Sequence, residues 1–198
     1  MTPGLGIVTI SYNQGRFLCE CLDSVLGELR SGLDRYAVVD AGSTDGSREL
    51  IQRRWGGIDA VVFEPDRGPA DGLNKGFARA GGEILGYINA DDRLAPGALE
   101  HVREFFSVRQ DVDVLCGTIR LIDARGRGFV RKRTADAFDL RRYIAGVCMV
   151  GQQATFFRRS AFERTRGFNV ANRVSWDGEL LVDLALAGAR FATTPRVL

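Results

Sequence analysis

Four short polar clusters carry most of the chemistry available to this chain: SYNQG at residues 11–15, DAGSTDGS at 40–47, EPDRG at 64–68 and NADDR at 89–93. The last is the most demanding. Asp91 and Asp92 are adjacent anions at the end of an apolar run, and burying even one is costly unless a cation or several donors compensate it. Aspartate also favours solvated turns, so a plain turn is one reading. The other is a divalent cation site, because Mg²⁺ is typically held by one or two carboxylates together with substrate phosphates.

The elements that position these clusters follow from the hydrophobic pattern. LGIVTIS is a β-branched run, and the segment after it repeats apolar residues at Leu18, Leu22, Val25, Leu26 and Leu29, one face of a helix. YAVVDAG, AVVFEPD and EILGYIN read as three more strands. Helices are expected over TDGSRELIQRR, capped by Ser43 or Asp45, over ADGLNKGFARA, and over PGALEHVREFF, opened by Pro96. Strands beginning near residues 6, 36, 60 and 84, each followed by a helix, predict an α/β fold. Its core is a Rossmann-like, mostly parallel central sheet with helices on both faces. In such a sheet the ligand crevice lies beyond the carboxyl ends of the strands, and all four polar clusters fall there. After residue 110 the rhythm becomes mixed: a strand over DVLCGTIRLID, an exposed ribbon over GRGFVRKR, a helix over AFDLRRYIAG, a strand over QATFFRR and a helix over DGELLVDLALAG.

The bulk composition sets limits. The chain has 198 residues, 45% of them hydrophobic, enough for one domain with its own core. Twenty-seven basic residues against 25 acidic ones give a net charge of +2, so no global field argues for nucleic acid as a partner. One local basic run, RGRGFVRKR at residues 125–133, suits either a solvated loop or peripheral contact with an anionic membrane. Cys19, Cys21, Cys116 and Cys148 lack metal-ligand spacing and the only histidine is His101, so zinc is not expected and the thiols read as reduced packing groups. No run is long enough for a membrane span and the N-terminus has no signal-peptide pattern; the expectation is a cytoplasmic protein, able to work at the inner face of the membrane.

The phosphate-binding options narrow further. SYNQGR occupies the place where a dinucleotide fold carries G-x-G-x-x-G, while Gly4 and Gly6 precede the strand, and no GxxxxGK[ST] loop is present. A phosphate-bearing ligand would then be neutralised through a cation held by Asp91 and Asp92.

Taken in order, SYN, DAGSTDG, EPDRGPADGLNKG and INADD resemble the family-2 inverting glycosyltransferases with the GT-A fold, particularly the bacterial surface-polysaccharide type. The likeness covers nearly the whole chain. It implies one glycosyltransferase domain over 1–198, with residues 1–110 binding a nucleotide-sugar donor, most often a UDP-sugar, and 111–198 facing the acceptor. It further implies transfer with inversion, assisted by Mn²⁺ or Mg²⁺, to a glycan or lipid-linked acceptor in polysaccharide or glycolipid biosynthesis. Carried over by position, Ser11, Tyr12 and Asn13 contact the nucleotide, Asp40 the base or ribose, and Asp66, Asn74 and Lys75 line the donor pocket. Asp91 serves both donor and metal, with Asp92 and Asn89 completing the metal set. Asn89 stands where the family often has a first acid, offering a carbonyl without charge.

Such a transfer needs a base to deprotonate the acceptor hydroxyl. In WDGE, Asp177 aligns with the family's late acidic motif. Ser175 is a suitable cap, and spacing sets Asp177 on the face of Leu180, Leu181 and Leu184, with Glu179 pointing elsewhere. Gln152 and Gln153, in a segment resembling His-Gln-x-x-Phe, and Glu179 are expected on the acceptor side. Two rivals remain open: a nucleotidyltransferase, for which residues 14–16 make a poor phosphate loop, and a nucleotide-sugar-binding or scaffolding protein with impaired catalysis. The resemblance implies a domain that generally continues past the strand begun by RFATTPRVL, so C-terminal truncation of this chain is left open.

Overall fold

The computed structural model describes residues 2–198, except for the side chains of residues 128–131. The expected membrane contact through 125–133 falls partly on those side chains and so lies partly outside the described residues. The first half alternates as expected: β1 (Leu5–Ser11), α1 (Gly15–Leu26), β2 (Arg35–Asp40), α2 (Ser47–Gln52), β3 (Ala60–Phe63), α3 (Pro69–Phe77), β4 (Ile84–Asn89) and α4 (Ala98–Val108). The second half comprises β5 (Val114–Ile122), β6 (Gly128–Arg133), α5 (Leu140–Ile144), β7 (Thr155–Arg158), α6 (Arg159–Phe162), α7 (Trp176–Leu186) and β8 (Phe191–Val197).

One eight-stranded sheet runs β3-β2-β1-β4-β7-β5-β6, with β8 pairing β5. The first four strands are parallel, Ile7 pairing with Tyr36 on one side and Gly86 on the other. β7 inserts antiparallel between β4 and β5, and β8 runs parallel to β5. Strand order reverses at β1, between β2 and β4, which is where an open parallel sheet leaves a crevice.

Two apolar layers cover the sheet. Leu18, Leu22 and Val25 of α1, Ile51 of α2 and Leu99, Val102 and Phe106 of α4 bury one face; Leu73 and Phe77 of α3 and Leu180 and Leu184 of α7 bury the other. α3 lies close on the sheet because Gly76 has no side chain; a Cβ there would sit 2.4 Å from Val8 Cγ1. Beneath the sheet Arg103 and Asp34, 1% and 0% exposed, form an ion pair that also holds the Leu5 and Arg30 amides.

Three local expectations are corrected. α4 starts at Ala98 after Gly97, whose φ of 75° takes the N-cap position, so Pro96 precedes the helix instead of opening it. α2 is preceded by Gly46 at φ 90°, and neither Ser43 nor Asp45 occupies its N-cap; Asp45 accepts from the Ser47 amide and hydroxyl instead. Ser175 does occupy the N-cap of α7, but its hydroxyl makes no cap hydrogen bond. No described helix is long and apolar enough to cross a membrane.

Candidate functional site

The reversal of strand order opens a cleft of about 500 Å³ between the ends of β1 and β4. Ile10, Ser11 and Tyr12 form one wall, Asn89, Ala90 and Asp91 the other, and the Asp66–Pro69 turn closes one end. Gln14, Ala41, Arg173 and Trp176 complete it. The sheet thus brings Ser11, Tyr12, Asp66, Asn89 and Asp91 together from three different strand ends. Tyr12 is 61% exposed, presenting its ring to the cleft.

Among the described residues two buried side-chain polar atoms have no hydrogen-bond partner: the Ser11 hydroxyl oxygen and the Asn89 side-chain carbonyl. Buried polar atoms are nearly always satisfied, so each such exception calls for a cause. Both belong to residues lining the cleft.

Asn89 donates its amide to Gln152 Oε1 at 3.1 Å, and Gln152 in turn donates to the Tyr87 carbonyl at 3.2 Å. This ties the turn before β7 to the acidic loop. Asp92 is half-buried behind Asp91. Burial first, and then the negative charge of Asp91, push its carboxyl up to about 6, while the Gln153 and Asn89 side chains pull it back down. Loss of water disfavours the charged carboxylate and a like charge adds to that. Among the described residues no group of three or more His, Cys, Asp or Glu side chains is arranged to hold a metal; the acidic loop supplies two carboxylates and an amide carbonyl.

Other expected donor-site residues have different employment. Asp40 is fully buried, and its carboxylate accepts from the Gly42 and Ser43 amides, the Ser43 hydroxyl and Arg48 Nε. These bonds tie the end of β2 to the 41–43 turn, whose Ala41 lines the cleft. Asn13, at φ 53°, receives the Thr44 amide on its side chain while its own amide donates to Ser43 Oγ at 2.8 Å, so it locks the first loop to the second. Asn74 is turned away from the cleft to the Phe168 main chain. Lys75 donates to the Pro65 carbonyl at 2.7 Å and faces Glu64 and Asp71, bracing the 64–68 turn from behind. In this structure Asn74 and Lys75 both support the elements around the cleft through these contacts.

Asp177 sits beside the cleft. Its neighbour Trp176 lines the cleft, whereas Asp177 faces an adjoining cavity of about 20 Å³ walled by Tyr87, Tyr143, Gln152, Leu180 and Leu181. The inward face shared with the leucines holds. Burial, and then the charge of Asp177, raise the phenols of both Tyr87 and Tyr143. Gly178 lets the ring come close, since a Cβ there would lie 3.1 Å from the Tyr143 hydroxyl. Glu179 points away, as expected, but its two oxygens accept from Asn169 and Asn172 at 2.8 and 2.7 Å, bonds that hold it below the usual carboxylate range, those from Asn172 first. It clamps the loop before α7.

Sequence reasoning overlooked Gln14, Arg67, Arg173 and Trp176. Trp176 and Arg67 adjoin residues that were singled out; Arg173 carried no local signal.

The model of the glycosyl transferase family 2 matches residues 6–166. An uncharacterized glycosyltransferase of Mycobacterium tuberculosis is 29% identical over 187 residues, covering 93% of this chain and 70% of the relative. Two solved structures share the fold. Staphylococcus aureus TarS, in complex with UDP-GlcNAc, superposes with a TM-score of 0.76 at 18% identity over 98% of this chain and 60% of its own. A mannosyltransferase from Pyrobaculum calidifontis, in complex with GDP-Man and Mn²⁺, superposes with a TM-score of 0.74 at 22% identity over the whole of this chain and 56% of its own. The chain thus spans less than two thirds of either solved protein. With the GT-A sheet order, the strand-end cleft and a family match over most of its length, this chain belongs to glycosyl transferase family 2.

Proposed function

We propose that this chain transfers a sugar from a nucleoside-diphosphate donor to an acceptor hydroxyl with inversion, residues 1–110 holding the donor and 111–198 facing the acceptor. The observation that carries the reading is the pairing of unsatisfied buried oxygens on Ser11 and Asn89 with the carboxylate of Asp91 in one cleft. A ligand rich in hydroxyls and oxygens, with a cation, would satisfy all three.

The residues fit a divalent cation. Asp91, Asp92 and the free Asn89 carbonyl are hard oxygen donors of the kind Mg²⁺ and Mn²⁺ take, with the donor's phosphates supplying the rest. When bound, the cation would offset the charge of the diphosphate. Tyr12 and Ser11 flank the nucleotide. Asp177 accepts the proton of the acceptor hydroxyl; that oxygen bonds to the anomeric carbon as the bond to the diphosphate breaks on the opposite side, its electron pair leaving with the nucleoside diphosphate. Tyr87, Tyr143 and Gln152 shield Asp177 from water until an acceptor enters. A UDP-sugar is the first donor to try, with a GDP-sugar next, and a lipid-linked or glycan hydroxyl is the acceptor class to test.

Calorimetric titration of UDP and GDP, with Mn²⁺ or Mg²⁺ and again with a chelator, tests the reading. Cation-dependent binding that disappears in an Asp91→Ala, Asp92→Ala variant is expected. No binding of either nucleotide under any condition would overturn it.

A further inference from the structure

The cleft contains a cation that neither the fold nor the acidic loop explains. Arg173 lies in the loop that joins Phe168 to α7, is exposed, and lines the cleft opposite the acidic wall. It reaches across to the Asp66–Pro69 turn: a Cβ on Gly68 would come within 3.2 Å of its Nη1, and Gly68 itself sits at φ 114°. No Asp or Glu lies within ion-pair distance of it among the described residues, although Arg67 beside it is tied to Asp71 at 3.5 Å.

The loop that carries Arg173 is built to hold one shape. Asn74 fastens its start through the Phe168 main chain, and Glu179 fastens its middle by accepting from Asn169 and Asn172. Asn172 Oδ1 then accepts from the Val174 and Ser175 amides at 3.1 and 3.0 Å, closing a turn around Arg173. Trp176 packs on Tyr87 and Phe168 and fixes the far end. Four side chains thus fix a loop whose one exposed guanidinium overhangs the cleft.

Charge balance supplies the partner. A dication held by Asp91 and Asp92 shares its charge between their two carboxylates and the diphosphate, so it offsets only part of the negative charge gathered in the cleft. A planar guanidinium is suited to bidentate contact with phosphate oxygens. We infer that Arg173 is a diphosphate-binding residue, reaching from the acceptor half of the chain over the donor. This rests on the glycosyl-transfer reading above, and it makes donor binding depend on both halves of the chain.

The test is calorimetry of the full chain with Mn²⁺, comparing UDP with uridine and GDP with guanosine, for wild type, Arg173→Ala and Arg173→Lys. Because Arg173 is exposed and makes no ion pair, both variants should keep the wild-type thermal midpoint. The expected result is that Arg173→Ala weakens the diphosphate about tenfold while the nucleoside changes less than about twofold, with Arg173→Lys in between. An unchanged diphosphate affinity, or equal losses for nucleoside and diphosphate, would overturn the role of Arg173 while leaving the glycosyl-transfer reading intact. If wild type binds no nucleotide, that reading and this one fall together.

Discussion

Asn74 and Phe168 are joined twice: the Asn74 side-chain amide donates to the Phe168 carbonyl at 2.8 Å, and its side-chain carbonyl accepts the Phe168 amide at 3.0 Å. The pair bolts α3, from the donor half, to the loop that enters α7, from the acceptor half. Asn74→Ala should leave two main-chain groups unsatisfied and cost about 2–6 kcal/mol, since each orphaned buried group costs about 1–3 kcal/mol. Urea denaturation would show it as a lower midpoint with an unchanged slope. Asn74→Asp, which retains the acceptor but not the donor, should cost less.

Asp92 gives a pH-dependent prediction. Its folded value is raised to about 6, above the ordinary 3.8, by burial and then by Asp91, so its charged form works against the fold. That penalty is absent below about pH 3.8, grows between there and about pH 6, and is complete above. In chelator, Asp92→Asn should therefore unfold roughly 2–4 °C above wild type at pH 8, about 1 kcal/mol after allowance for partial exposure, and lose that advantage near pH 4. Differential scanning calorimetry at the two pH values checks it.

Asp177→Asn should leave nucleotide affinity within about twofold while lowering kcat by about a hundredfold to ten-thousandfold, the range for loss of a general base. The same substitution removes a negative charge beside Tyr143, so the phenol should titrate at lower pH than in wild type. Ultraviolet titration, with Tyr143→Phe to assign the signal, separates this local effect from global unfolding.

Arg103→Ala should be the most damaging change far from the cleft. It strands the fully buried Asp34 carboxylate, and breaking a buried pair from one side costs about 3–5 kcal/mol. Replacing both residues, Arg103→Met with Asp34→Leu, should still lose the Leu5 and Arg30 amide contacts and so not restore the wild-type midpoint. Equal stability of the double variant and wild type would show that the ion pair contributes nothing net.

The four parallel strands were legible because each is a short apolar, β-branched run ending in a polar turn, and the crevice followed from the sheet rule without any side-chain detail. The second half was less legible. β7 crosses back antiparallel between β4 and β5, and nothing in QATFFRR announces its partners, since pairing is set by tertiary packing. Asp40, Asn74 and Lys75 illustrate a different limit. A polar residue beside a cleft and a polar residue that braces the cleft wall have the same composition and spacing, so only the direction of the side chain separates them. Arg173 was silent because its neighbours Asn172 and Val174 form no pattern; its meaning comes from Gly68, far away in the chain.

The sheet order also shapes how the molecule is made. Within this fold β1 is synthesised before both of its neighbours, and Ile7 is flanked by Tyr36 and Gly86, so one of its edges stays open until β4 has been made. During that interval an unpaired, largely apolar strand is available for pairing with another chain. The Arg103–Asp34 clamp arrives later still, on α4, and seals the assembly from below. The two walls of the cleft, at the ends of β1 and β4, are therefore joined by a non-local pairing, the kind of contact that forms slowly because loop closure must precede it.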